Sequence, residues 1–386
     1  MNLPFDGAKL DRLMDAAGID LLLATDKDTV QYLLGGYRFF FLAHKDAIGI
    51  SRYLPVLGYP KAAPENAFYI GHGLEPQHQE VEPLWTATVR NSQSSSENAA
   101  RLAAEEIRKR GLAKARIGIE MCFIPADAYL ALGEELPDAT FVDVLPLMQD
   151  LRAVKRPDEL ALLKKSSELI VESMMAVVTS TPAGTTTSDI AEHVRREEVD
   201  RGMNFEYCLT AAGPRLNRTP SANFTWDRGD VLSLDSGANL HGYLGDLCRM
   251  AVMGEPTTLM RDLLDEVRAI QAAPRTVIKA GATGREVYAP ALAAIAKCDH
   301  RDEVVFRAHG MGMIQHEAPH LEGAGVIRYP ATYWDRPLEA GMVLSIETDL
   351  KNPEVGLVKL EDTVVVTEDG YEAFGDDARG WNVAPG

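Results

Sequence analysis

Apolar positions along the chain follow two regimes. Over 6–17 (DGAKLDRLMDAA) they recur at helical spacing and stop at Gly18, after which IDLLLAT forms the short apolar run of a buried strand. Short apolar runs (AIGIS, LPVLGY, NAFYIG) broken by Gly, Pro and Asn occupy 30–90. SSENAARLAAEEIRKRG (95–111) reads as a capped helix closed by a glycine, ARIGIEM as a strand and 125–136 as a helix. Strands alternating with helices predict an α/β N-terminal domain.

The pattern changes at LRAVKRPDEL (151–160). Pro157 followed by Asp158 and Glu159 is a helix-start signal, and helical spacing then runs from Leu160 to about Val178. The boundary is placed here, giving domains 1–152 and 153–386. Further helices are expected from about Ser188 to Arg201 and over roughly 257–279 and 284–297. Strand-like runs at 231–235, 243–252, 341–348 and 356–367 are interleaved, mostly joined by hairpin-like turns. Helices set among antiparallel pairs predict an α+β second domain.

A chain of 386 residues with 46% hydrophobic and 25% charged positions is long enough for two such domains and too apolar for a disordered protein. The formal charge of −18 opposes nucleic-acid phosphate and anionic membrane surfaces, which leaves a small molecule or a peptide as the expected substrate. Cys122, Cys208, Cys248 and Cys298 are widely spaced and form no C-x-x-C pair. With no signal-like start and no apolar stretch of membrane-spanning length, they predict a reducing, cytoplasmic setting.

Carboxylates in apolar surroundings carry the chemistry. In GDVLSLDSGANLHGYLGDLCRM (229–250) Asp235 ends one apolar strand and Asp246 lies on the next, so a hairpin sets them side by side. Each costs several kcal/mol to bury unpaired, and a divalent cation removes that cost. In RAHGMGMIQHEAP (307–319) glycines 310 and 312 flank His309, which implies a backbone approached closely by something else, and His316 follows seven residues on. Glu347 in GMVLSIETDL and Glu361 in GLVKLEDTVVVTEDGY each stand in the middle of an apolar, strand-forming run. Four carboxylates and one imidazole make an oxygen-rich site suited to two divalent metal ions, Mn, Co, Fe or Zn. Such a pair lowers the pKa of a shared water and stabilises a tetrahedral intermediate, which is hydrolytic equipment. HEAPH (316–320) matches the zincin motif, but Pro319 just before the second histidine breaks the helix that motif requires.

These residues, in this order, resemble the pita-bread metallohydrolases, the family of methionine aminopeptidase, aminopeptidase P, prolidase and creatinase. The resemblance covers the whole chain in its two-domain form, a creatinase-type N-terminal domain followed by a pita-bread catalytic domain that VKRPDEL enters. It implies metal ligands Asp235 (DSG), Asp246 (GDLCR), His309 (AHGMG), Glu347 (SIE) and Glu361 (KLED). It also implies that His316 contacts the substrate carbonyl and that Glu347 carries a proton to the leaving group. The implied activity is hydrolysis of an amide C–N bond in a dipeptide or small acyl-amino compound, of the Xaa-Pro dipeptidase or aminopeptidase type, by a homodimer.

Two departures bear on the substrate. The family carries a histidine upstream of its first aspartate, whereas GPRLNRTPSANFTWDRGD (213–230) has none and offers Arg215 or Arg218, suited to an anionic group. ETD (347–349) stands where the family commonly has E-P-G. Both leave room for a catabolic enzyme on a non-peptide substrate, a compatible-solute amide hydrolase or a dimethylsulfoniopropionate lyase. A non-catalytic binding module is a further alternative, but one that does not require the metal ligands to be kept. The aromatic run GYRFFFLAH (36–44) offers Tyr37, Arg38 and Phe40 as substrate-binding candidates reaching a partner subunit's site, with Trp226 and Trp334 as further wall residues.

Overall fold

A computed structural model describes residues 3–42, 52–322 and 332–385. The chain divides into two compact units, Met1–Leu151 and Arg152–Gly386. The run AIGIS and the end of the aromatic run, 43–44, lie outside the described residues. Among the described residues no helix is long and apolar enough to cross a membrane.

The first unit is α/β. Its strands are β1 (Leu21–Ala24), β2 (Val56–Pro60), β3 (Phe68–His72), β4 (Thr88–Gln93), β5 (Arg116–Ile119) and β6 (Thr140–Asp143). They form one mixed sheet in the order β4-β3-β2-β1-β5-β6. Its helices are α1 (Gly7–Ala16), α2 (Lys27–Leu33), α3 (Pro76–Val81), α4 (Ser96–Lys109) and α5 (Ala126–Glu135), and α6 (Leu145–Ala153) ends at the division. Ser95 caps α4 by accepting the Asn98 amide, and the small face Ala99, Ala100, Ala103 and Ala104 lets that helix lie close on Leu21, Leu23, Phe68 and Ile117.

The second unit is α+β in the pita-bread arrangement. It begins with α7 (Pro157–Ser180), where Pro157 takes the first helical position and Glu159 accepts the Arg156 amide at 2.8 Å. A short ribbon of β7 (Thr185–Thr186) and β9 (Thr225–Trp226) flanks α8 (Thr187–Asp200) and β8 (Asn204–Ala212). Then come β10 (Val231–Leu240), β11 (Tyr243–Met253), α9 (Thr258–Arg275), α10 (Gly284–Ile295), β12 (Val304–Gly310), β13 (Val343–Asn352), β14 (Gly356–Val366), β15 (Tyr371–Phe374) and β16 (Asn382–Ala384). The main sheet runs β12-β13-β14-β11-β10-β8, antiparallel throughout, with β15 on β14 and β16 on β11.

Alternation along these strands separates two faces. One is apolar: Leu344, Ile346, Val358 and Leu360 pack on α9 and α10, and Leu232, Leu234 and Leu247 pack on α7 and α8. The other face carries Asp235, Asp246, Glu347 and Glu361. Asp362, one residue past Glu361, therefore points to the helical side, where Arg249, Arg275 and Arg379 pair with it.

Two expectations are corrected here. Asp235 does not end its strand: β10 continues to Leu240, and a two-residue turn with positive φ at His241 and Gly242 closes the hairpin to β11. β8 and β12 were not anticipated, and they contribute Tyr207 and His309 to the site.

Candidate metal centre

Strand register explains why residues so far apart in sequence meet. Glu347 lies directly across from Glu361, and Arg307 across from Glu347. Cys248 pairs with both Glu361 and Asp235, so Asp246, two residues away on β11, falls beside them on the same face. Asp246, His309 and Glu361 bring one donor atom each within 4.8 Å of one another. His309 Nε2 is 3.9 Å from a Glu361 oxygen, and its Nδ1 lies 3.2 Å from the Gly310 carbonyl, an arrangement that presents Nε2 to the site. Ser345 donates to Glu361 at 2.9 Å.

Several groups that the sequence did not single out complete the centre. Tyr207 donates its phenol to Asp246, and Gln315 donates to the other Asp246 oxygen at 2.8 Å. Gly237 of DSG, directly across from Tyr207, makes this possible: a Cβ there would sit 2.3 Å from the tyrosine ring. Lys359, across from Asp349 on β14, places Nζ 2.7 Å from each of Asp235, Glu347 and Glu361. Its position two before Glu361 was visible in KLED, but only the register reveals that it points the same way.

The electrostatics follow from this crowding. Burial, then the charge of Asp235, pushes the Asp246 carboxyl up, and burial with Asp246 pushes Glu361 up. Burial works against the Lys359 charge, yet the three carboxylates outweigh it and hold the ammonium well above its usual range. Burial likewise opposes ionisation of Glu347, and Lys359 more than reverses it. Carboxylate charge is thus in excess on one wall of buried side chains. Oxygen donors with one imidazole in such a place fit divalent ions.

His316 stacks on His309 with ring centroids 3.8 Å apart. Burial, then His309, lowers its pKa to about 3, so it stands neutral beside the ligands. The glycines around His309 are approached by the chain's own following loop: a Cβ on Gly310 would meet Ala318 and Pro319 backbone at 2.3–2.5 Å, and one on Gly312 would meet Glu317 at 2.1 Å. Glu317 is buried and paired with Lys155 at 3.0 Å and Arg152 at 3.3 Å. The VKR segment therefore braces the loop that carries His316. No helix forms over 316–320, in keeping with the rejected zincin reading.

Of the two loop arginines, Arg218 reaches the site and pairs with Asp235, whereas Arg215 lies over Phe224, 5.0 Å from the ring centroid. Arg307 pairs with Asp349 at 2.6 Å, so the ETD departure places an ion pair beside Glu347. Trp226 is fully buried in the core and donates to the Asp230 carbonyl, which removes it as a wall residue. Trp334 packs on Tyr288 under Arg285. In the first unit the Tyr37 hydroxyl is engaged by Glu75 at 2.7 Å and Arg38 contacts Gln31 at 3.4 Å, while Phe40 is half exposed.

Comparison with known proteins agrees with this fold. Residues 161–368 match metallopeptidase family M24, and residues 8–154 match the creatinase/prolidase N-terminal domain. The chain belongs to metallopeptidase family M24, in the creatinase, aminopeptidase P and prolidase-like group the motifs resemble. It is 25% identical over 391 residues to an Xaa-Pro dipeptidase of Lactobacillus delbrueckii subsp. lactis, covering 98% of each chain. It is 28% identical over 261 residues to an uncharacterized peptidase of Bacillus subtilis (strain 168), covering 66% of this chain and 71% of the other. An Xaa-Pro dipeptidase structure from Bacillus anthracis superposes with a TM-score of 0.80 at 22% identity, covering 97% of this chain and 99% of that one. The family's cofactor is a dinuclear centre of divalent ions.

Proposed function

We propose that this chain is a metal-dependent dipeptidase that hydrolyses the amide bond of Xaa-Pro-type dipeptides, with Asp235, Asp246, His309, Glu347 and Glu361 as the ligands of two divalent ions. The observation that carries the reading is the convergence of four buried carboxylates and His309 on one sheet face. The ions, when bound, activate water and polarise the scissile carbonyl. The chain's own groups do the rest. Glu347, at the open edge of the carboxylate row, takes the proton of the attacking water and passes it to the leaving nitrogen. His316, neutral and held parallel to His309, offers a ring nitrogen to the carbonyl oxygen. Tyr207 and Gln315 fix the orientation of Asp246. Arg218, a third exposed at the mouth, meets the carboxylate end of the dipeptide.

The same proposal places the enzyme in the cytoplasm, which its four free cysteines favour, and makes it a homodimer that offers the exposed Phe40 to a second copy. The test is incubation of the Mn²⁺-loaded and the chelated protein with a panel of Xaa-Pro and other dipeptides, read by mass spectrometry. Metal-dependent products that together gain one water are expected. Elimination products from small betaine-like acids, with every dipeptide left intact, would overturn the peptidase reading.

A further inference from the structure

Lys359 stands inside the proposed centre, not beside it. Its side chain is about as buried as Asp235 and Glu361, and its ammonium touches Asp235, Glu347 and Glu361 at 2.7 Å each. An ammonium has three donors, and here each finds a carboxylate oxygen. A divalent ion shared by these three residues would bind the same oxygens at about 2.0–2.2 Å. It cannot do so with a second positive charge lodged among them. The other half of the centre, Asp246, His309 and Glu361, carries no such cation against all three of its donors; Glu361 alone is common to both halves.

The charge balance points the same way. Asp235, Asp246, Glu347 and Glu361 carry four negative charges when ionised. Lys359 and Arg218 supply two positive charges, Arg218 through its contact with Asp235. One divalent ion then completes neutrality, and two ions complete it only if the side-chain cations withdraw.

Resting on the metal-centre reading above, we propose that Lys359 is a resident counter-ion that takes the place of one of the two ions. The centre then fills in a fixed order. The first ion settles on Asp246, His309 and Glu361. The second enters on the Asp235 and Glu347 side only as the Lys359 ammonium is displaced. Breaking a buried, fully hydrogen-bonded pair weakens that second step by at least roughly 100-fold relative to the first.

The experiment is a Mn²⁺ titration of the chelated full-length chain by calorimetry, with bound metal counted after equilibrium dialysis, for the wild type and Lys359→Met. Two separated steps are expected in the wild type. In Lys359→Met the second step tightens by at least about tenfold while the first stays within about threefold. Circular dichroism checks the fold of the variant; should it fail to fold, Lys359→Gln replaces it and the wild-type isotherm still decides. Two wild-type steps within tenfold of each other overturn the proposal, as does a separation that the substitution leaves unchanged. A wild type that binds no Mn²⁺ overturns the metal-centre reading and the proposal with it, a result distinguishable from either of the others.

Discussion

Arg218 reaches Asp235 from the loop where family resemblance led one to look for a histidine, and a guanidinium there changes what the site can hold. It pairs bidentately with carboxylates, which an imidazole cannot do. Arg218→Met should therefore raise KM for dipeptides with a free C-terminal carboxylate by about 10- to 100-fold, the loss of a charged hydrogen bond of roughly 1.5–3 kcal/mol. KM for the C-terminal amides should change little. Steady-state kinetics on matched acid and amide substrates check this, and equal effects on both would remove Arg218 from carboxylate recognition. Behind the site, Glu198 accepts a hydrogen bond from Ser236, the residue after Asp235, with its second oxygen buried and unbonded. Burial pushes its pKa up to about 7, against the pull of Ser236. The folded protein thus keeps a proton that the unfolded chain releases near pH 4.3. That contribution to stability is fully present below the unfolded value and is lost as pH rises through about 7, a change of up to about 3 kcal/mol. Denaturant melts of chelated wild type and Glu198→Gln at pH 5 and pH 8 should show the wild type losing more stability than the variant over that interval. Parallel losses would mean that Glu198 ionises normally.

At the scale of elements, the site is a property of register, and this sets what could be read in the sequence. Asp235, Asp246, Glu347 and Glu361 were legible because a carboxylate in an apolar strand run contradicts its surroundings. β10, β11, β13 and β14 were legible for the same reason, being long and apolar on both faces. β8 and β12 alternate exposed and buried positions over shorter stretches, and their periodicity is weak beside the helices around them. Tyr207 and Lys359 escaped notice since a tyrosine or lysine in a strand is ordinary until its cross-strand partner is known. DSG shows the difference: its glycine is a motif letter in the sequence and a packing requirement in the fold. Gly237→Ala drives a methyl group into the Tyr207 ring and should destabilise the protein by about 1–3 kcal/mol while loosening the Tyr207 contact to Asp246. Adding Tyr207→Ala should restore much of the stability without restoring the metal affinity. Equilibrium denaturation of the two single variants and the double variant measures the coupling, and simple additivity would count against the clash.

For the whole molecule, four buried carboxylates tie the stability of the Arg152–Gly386 unit to cations in a way that the Met1–Leu151 unit does not share. An ion bound by the folded chain alone stabilises it by RT ln(1 + [L]/Kd), about 2.7 kcal/mol at a hundredfold excess over Kd. For a unit of this size each kcal/mol moves the melting temperature by roughly 2–4 °C, so chelation should lower it by about 5–10 °C. Hydrogen exchange gives the location as well as the magnitude. With Mn²⁺ added back, amides of β10, β11, β13 and β14 should gain protection, since both ends of the carboxylate row are then tied across the sheet. The mixed sheet of the first unit holds its own buried carboxylate, Glu75, through the hydroxyls of Tyr37, Tyr53 and Tyr69, and needs no ion for it. Its protection should stay the same with and without Mn²⁺, and a uniform gain across both units would show that the ion acts by some route other than the row formed by Asp235, Asp246, Glu361 and Glu347.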